Sequence, residues 1–232
     1  MTALRCERLA DDALLFHLGA TTPPIDADTN ARVHRLATRL RAAAADRLID
    51  LVPAYASLAV FFDDAKIDAD ALRALVETLL ADDCIKTAAS SSRVIEIPVV
   101  YGGAFGEDLD DAARTLGLSP DTLIERHSAA LYTVAMIGFA PGFPYLSGLD
   151  PALALPRLAT PRTRVPAGSV AIGGAQTGLY PRESPGGWRL LGRTPLTLFD
   201  PQRASPSLLA PGDCVRFRPI SADEFARLET PA

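Results

Sequence analysis

Arg162 and Arg164 alternate on an extended stretch that ends at Pro166, so their side chains share one side. Paired guanidinium groups suit a carboxylate or a phosphate; the other reading is two solvated surface charges. Gly173, Gly174, Gln176, Thr177 and Gly178 follow in a glycine-rich run that is neither a dinucleotide fingerprint nor a P-loop. Its N–H groups make either an anion-binding nest or a tight hairpin. Gln176 and Thr177 would add side-chain donors. Tyr180, Arg182 and Glu183 come next. Arg182 beside Glu183 reads as an ion pair. Glu183 is also one of few carboxylates here that could hold a metal or move a proton. Upstream, the stiff loop Pro141–Tyr145 carries Phe143 and Tyr145, as a pocket wall or as a hydrophobic plug. His127, at a predicted helix end, is a structural histidine or a proton carrier.

The residue types also exclude chemistry. Only Lys66 and Lys86 are lysines, and none follows position 86. The C-terminal two thirds therefore hold no P-loop, no Schiff-base lysine and no biotin-carrying lysine. Any anion bound there is held by arginine, backbone N–H groups or a metal ion. The three cysteines, Cys6, Cys84 and Cys214, form no C-x-x-C pair. Reduced thiols and the lack of a signal-like N-terminus suggest a cytoplasmic protein. No apolar run approaches the ~18 residues of a membrane span. The net charge of −5 argues against nonspecific nucleic-acid binding. No H-E-x-x-H, G-x-S-x-G or EF-hand pattern occurs.

The elements that must carry these residues fall into two differently built parts. Residues 138–219 hold 13 of the 19 prolines and 11 of the 16 glycines. The spacing predicts strands over 3–9 and 13–18, then a helix over 28–46 with Val33, Leu36, Ala37, Leu40 and Ala44 on one face. Strands over 47–52 and 56–62 and a helix over 69–82, capped by Asp68, complete a ββαββα layer in residues 1–85. Residues 86–93 read as a small-residue linker. The second part, 94–232, begins with the strand VIEIPVVYG. Helices over 107–116 and from Pro120 to about His127 follow, the second with Ser119 as its cap. A strand over 131–139 and shorter strands over 169–173, 188–193, 196–199 and 214–218 suggest a closed or nearly closed barrel. Residues 221–229 read as a short terminal helix.

Several segments carry a family resemblance. YGGAFGEDLDDAA, the helix ending at His127, MIGFAPGFPYL, TPRTRVPAGSVAIGGAQTGLYPRESPGGW, LLGRTPLTLFDP and LAPGDCVRF resemble the family of the 5-oxoprolinase B subunit. That family is also called allophanate hydrolase subunit 1, or the KipI-type kinase inhibitors. The resemblance covers most of 94–218 in consistent order. It implies an α+β N-terminal domain followed by a mainly-β, cyclophilin-like barrel. It also implies an ATP-dependent enzyme, with Mg, assembled with C and A subunits, that opens 5-oxoproline to L-glutamate. No membrane or nucleic-acid partner is implied. The alternatives are an inhibitor of a sensor histidine kinase and one half of an allophanate- or urea-type carboxyltransferase served by a separate biotin carrier. Joined to the residues, the resemblance suggests a pocket rimmed by 141–145 and 162–187. Arg162, Arg164 and Arg182 would neutralise carboxylate or phosphate. Gln176, Thr177 and the N–H groups of 173–178 would hold amide or phosphate oxygens. Phe143, Tyr145 and Tyr180 would shape the pocket, and His127 and Glu183 would move protons or hold a metal.

Overall fold

Alternating apolar side chains build the first sheet. In β4 (Ser57–Phe62), Leu58, Val60 and Phe62 are buried; in β2 (Ala13–His17), Leu14 and Phe16 join them. With β1 (Arg5–Ala10) and β3 (Leu48–Pro53) they form an antiparallel sheet in the order β1-β2-β4-β3. Pro53 ends an edge strand, where its missing N–H leaves no ladder bond unmade. Helix α1 (Ala27–Ala44) starts at Asp26, whose carboxylate accepts the N–H groups of Asp28 and Thr29. Helix α2 (Ala69–Ala81) starts at Asp68, which accepts the Ala71 N–H at 2.7 Å. Val33, Leu36 and Leu40 of α1 and Leu72 and Val76 of α2 share one core with the apolar side of the sheet.

This computed structural model describes residues 4–20, 26–82 and 93–229. The chain divides into two compact units, Met1–Ser91 and Ser92–Ala232. Of the linker expected over 86–93, only Arg93 lies within the described residues.

The second unit is a closed barrel. Its strands are β5 (Val94–Tyr101), β6 (Tyr132–Ile137), β7 (Pro144–Ser147), β9 (Ser169–Gly173), β10 (Gln176–Leu179), β12 (Arg189–Arg193) and β13 (Cys214–Pro219). They close in the order β10-β7-β6-β13-β5-β12-β9. Strand β13 runs parallel to β5 in unbroken register from Cys214↔Val94 to Pro219↔Val99. The strands β8 (Arg162–Val165) and β11 (Ser184–Gly186) pair as a separate ribbon. Helix α3 (Leu109–Leu116) ends at Gly117, whose φ of 68° gives a left-handed cap. Ser119 then caps α4 (Pro120–Ala129) through the Thr122 N–H. Helix α5 (Ala222–Glu229) buries Phe225.

Two sequence expectations need correction. Residues 196–199 form no strand: Phe199 makes only an isolated bridge to Ser207, in a stretch bracketed by Pro195 and Pro201. Conversely, β7 and β11 lie in segments expected to be loops, while β8 and β10 are strands where only an extended stretch and a hairpin alternative were expected. Each has three or four residues and carries Gly, Pro or Arg, too short to display a period of two.

Two substitutions test these supports by thermal unfolding. A Cβ on Gly106 would sit 2.0 Å from the Leu191 carbonyl oxygen, so Gly106→Ala must force the backbone apart. We expect a loss of about 1–3 kcal/mol and a lower Tm. Asp68→Ala removes one cap and costs about 1 kcal/mol. An unchanged Tm in either variant contradicts the corresponding contact.

Candidate functional site

The residues singled out by sequence do not share one site. His127 and Thr177 are buried inside the barrel, while Phe143, Tyr145 and Tyr180 pack with Ala171 and Leu190, which alternate with the inward Val170, Ile172 and Leu191 and so lie on the barrel's outer face. Ala140, Phe143, Val165, Ala171, Tyr180, Trp188 and Leu190 form a separate apolar cluster, with Tyr145 packed against it. Phe143 is its hub. Its ring meets those of Tyr145, Tyr180 and Trp188 at centroid distances of 4.9, 5.2 and 5.7 Å. Phe143 and Tyr180 are therefore buried supports rather than an exposed wall. The Trp188 backbone N–H bonds the Tyr180 phenol oxygen, and burial pushes that phenol up.

Glycines make this packing feasible. A Cβ on Gly173 would lie 2.4 Å from the Trp188 ring, and one on Gly186 would lie 2.4 Å from the Tyr180 hydroxyl. The run 173–178 is thus a hairpin that accepts an indole against its backbone. Gln176 pairs with Gly173 across the turn, and Gly174 takes φ 66° at the first central position, as a type II′ turn requires. The Gly174 N–H donates to the Leu155 carbonyl at 2.7 Å, so it is not aimed at a ligand. This corrects the anion-nest reading.

Phe139, overlooked in the sequence, is the aromatic that faces solvent. It is 62% exposed and is the one non-glycine residue with positive φ (66°) among those described. The Ala140 N–H reaches back to the Gly138 carbonyl at 2.7 Å, closing a tight turn around it. That turn is strained for a side-chain-bearing residue, and such strain concentrates at functional sites. The ring stands edge-on to Phe143 and Tyr180, at 5.3 and 6.2 Å. The sequence signal was available: an aromatic between Gly138 and Ala140 in a loop closed by Pro141-Gly142.

The arginines divide by partner. Arg162 grips Asp108 with two bonds of 3.0 and 2.7 Å, and Asp108 also accepts the Leu190 N–H. The pair ties β8 to the start of α3 and to β12. Arg164 grips Glu183 with two bonds of 2.9 Å, both side chains well exposed. Glu183 therefore pairs with Arg164 and not with its neighbour Arg182. The Arg164 hydrogen bond holds its carboxyl below the usual carboxylate range. Arg182 is exposed and pairs with no carboxylate among the described residues. Arg157, unmarked in the sequence, lies over Trp188 at 5.9 Å.

His127 sits inside the barrel with no exposed surface. Thr177 Oγ1 donates to the Ala171 carbonyl at 3.0 Å and so accepts from His127 Nε2–H at 3.0 Å. Nδ1 then accepts from the Tyr101 hydroxyl at 2.9 Å. The ring also stacks on Phe217 at 4.8 Å. Burial lowers its pKa from 6.5 to about 3, so the ring is neutral with both nitrogens committed. Thr177 is equally committed and fully buried, which corrects its reading as a ligand donor. Gln176 is half-buried at the turn.

The donor set does not fit a nucleotide with its metal. Among the described residues, no three His, Cys, Asp or Glu side chains cluster to hold a cation. The glycine run spends its turn N–H internally, and no lysine follows position 86. No helix among the described residues is long and apolar enough to cross a membrane.

Comparison with known proteins fixes the family. A family model described as "Carboxyltransferase domain, subdomain C and D" matches residues 4–209. The B subunit of 5-oxoprolinase from Bacillus subtilis (strain 168) is 40% identical over 229 residues, covering 94% of each chain. The chain belongs to the family of the 5-oxoprolinase B subunit. Among solved structures, TTHA0988 superposes with a TM-score of 0.77 at 40% identity over 91% of this chain. This chain spans only 40% of that longer one. The Kluyveromyces lactis urea amidolyase matches with a TM-score of 0.74 at 21% identity, covering 97% of this chain and 15% of its own; it shares the fold.

In this member of the 5-oxoprolinase B-subunit family the buried histidine has a measurable consequence. The unfolded chain protonates His127 near pH 6.5, while the folded barrel resists until about 3. Its contribution is flat above pH 6.5 and turns against the fold as pH drops, by up to about 1.4 kcal/mol per pH unit. Urea unfolding of His127→Gln between pH 6.5 and 5 should show a shallower loss of stability than the unsubstituted chain. Parallel slopes would contradict the buried neutral ring.

Proposed function

We propose that this protein is the B subunit of an ATP-dependent 5-oxoprolinase, working with C and A subunits to open 5-oxoproline to L-glutamate. The observation that carries the reading is the 40% identity, spread over 94% of both chains, with the Bacillus subtilis B subunit. The barrel is assigned to the cyclophilin-like class and the complex to the cytoplasm. In this reading the exposed Phe139 ring, held edge-on by the buried cluster beneath it, offers an apolar edge to the methylenes of the 5-oxoproline ring. Arg182, free of carboxylate partners among the described residues, meets charge on the substrate or on an activated amide oxygen.

In this reading ATP and its Mg bind with the partner subunits, because the donors around this site do not suit them. No step on this chain is routed through them. In this reading, His127 positions β10 from within the barrel, and the Arg164–Glu183 pair braces the ribbon of β8 and β11.

The test is ATP-dependent glutamate release from 5-oxoproline, measured with this protein alone and with the C and A subunits co-expressed. Activity only in the mixture is expected. Arg182→Ala should lower turnover in that mixture at least about tenfold. An unchanged rate removes Arg182 from the site. No activity in any mixture turns the reading toward a kinase-inhibiting binding protein.

A further inference from the structure

Of the exposed arginines near the aromatic cluster, Arg157 and Arg182 meet no carboxylate among the described residues, and Arg157 is the one that lies over an aromatic ring. Arg162, Arg164 and Arg189 are each spent on a carboxylate: Asp108, Glu183 and Asp111. Arg157 is exposed and meets no carboxylate among the described residues. It is not a loose surface side chain. Its backbone is fixed on both sides: the Leu155 N–H bonds the Gly174 carbonyl at 3.2 Å, and the Leu158 N–H bonds the Gly187 carbonyl at 2.7 Å. Its guanidinium lies over the Trp188 ring. Stacking uses the face of a guanidinium and leaves the N–H fork at its edge unspent. The same charge acts on the Tyr145 and Tyr180 phenols of the aromatic cluster. A cation held against an aromatic ring with its N–H fork free is a receptor for an anionic group on a small ring.

We propose that Arg157, seated on Trp188, binds the carboxylate of 5-oxoproline and so makes the site selective for the acid over uncharged lactams. The inference rests on the 5-oxoprolinase reading for the identity of the substrate, but the anion site stands on this chain alone. Arg162 and Arg164, the arginines the sequence favoured, are structural braces in this assignment.

Trp188 is the one tryptophan in the sequence, so its emission reports on Arg157 directly. The experiment titrates the full chain with 5-oxoproline and, separately, with its uncharged carboxamide, following tryptophan fluorescence. A saturable change with the acid is expected, and a response to the amide at least about tenfold weaker. Arg157→Gln should weaken the response to the acid to the level of the amide, and Arg157→Lys should restore part of it. Circular dichroism and thermal melting confirm that both variants are folded. Equal responses to acid and amide, a Gln variant that binds like the unsubstituted chain, or no saturable response at all each overturn the proposal. Turnover in the reconstituted mixture separates the two readings. Turnover without an Arg157-dependent response leaves the enzyme reading standing and removes this site. An Arg157-dependent response without turnover in any mixture keeps the site and removes the enzyme reading.

Discussion

The parallel pairing of β5 with β13 is the constraint on which the barrel unit depends. It joins Val94–Val99, at the start of that unit, to Cys214–Pro219, near its end. Without it the sheet would expose two edges of unpaired N–H and C=O groups. With it the seven strands close, and their inward side chains fill one core that includes Ile97, Val99, Val215 and Phe217. Long-range pairing of this kind gains nothing until most of the chain between the strands is ordered. Helix α4 packs on β13, which carries His127 onto Phe217 and into reach of Tyr101 and Thr177. Closure therefore also fixes the buried polar chain that ties α4 to β10.

The barrel's surroundings rest on two kinds of order. Polar groups are used as braces: Asp108 collects Arg162 and the Leu190 N–H, and His127 links Tyr101 to Thr177. A buried acceptor such as Asp108 is costly if either partner is lost, which is why such pairs hold geometry even when their net contribution to stability is small. Apolar groups supply the floor: Phe143, Tyr180 and Trp188 pack edge to face over glycines that admit them. What remains exposed includes the strained Phe139 ring, the Arg164–Glu183 pair, Arg182 and Arg157. A surface built on such a rigid floor loses little freedom when it meets a ligand or another protein.

Much of the fold was legible because it repeats. Helices α1 and α2 show their apolar faces, α2 shows its Asp68 cap, and β9 falls at its expected limits of 169–173. The Ser119-Pro120 start and Gly117 stop of the middle helices are local chemistry that needs no tertiary context. The three- and four-residue strands were not legible, because only their neighbours across the barrel make them strands.

For the site, the sequence by itself determined the inventory. It placed the aromatics, arginines and glycines in 138–188, and it barred lysine from the chemistry beyond position 86. The order of motifs also marked the family. Only the tertiary structure decided which of those residues are spent and which are free. Arg162 and Arg164 are committed because Asp108 and Glu183, 54 and 19 residues away, arrive beside them. Gly173 serves an indole rather than an anion because Trp188 folds against it. Arg157 stands out for the opposite reason: no described carboxylate reaches it, and Trp188 does. Charge pairing and close packing are contact properties between distant positions, and no local pattern encodes them.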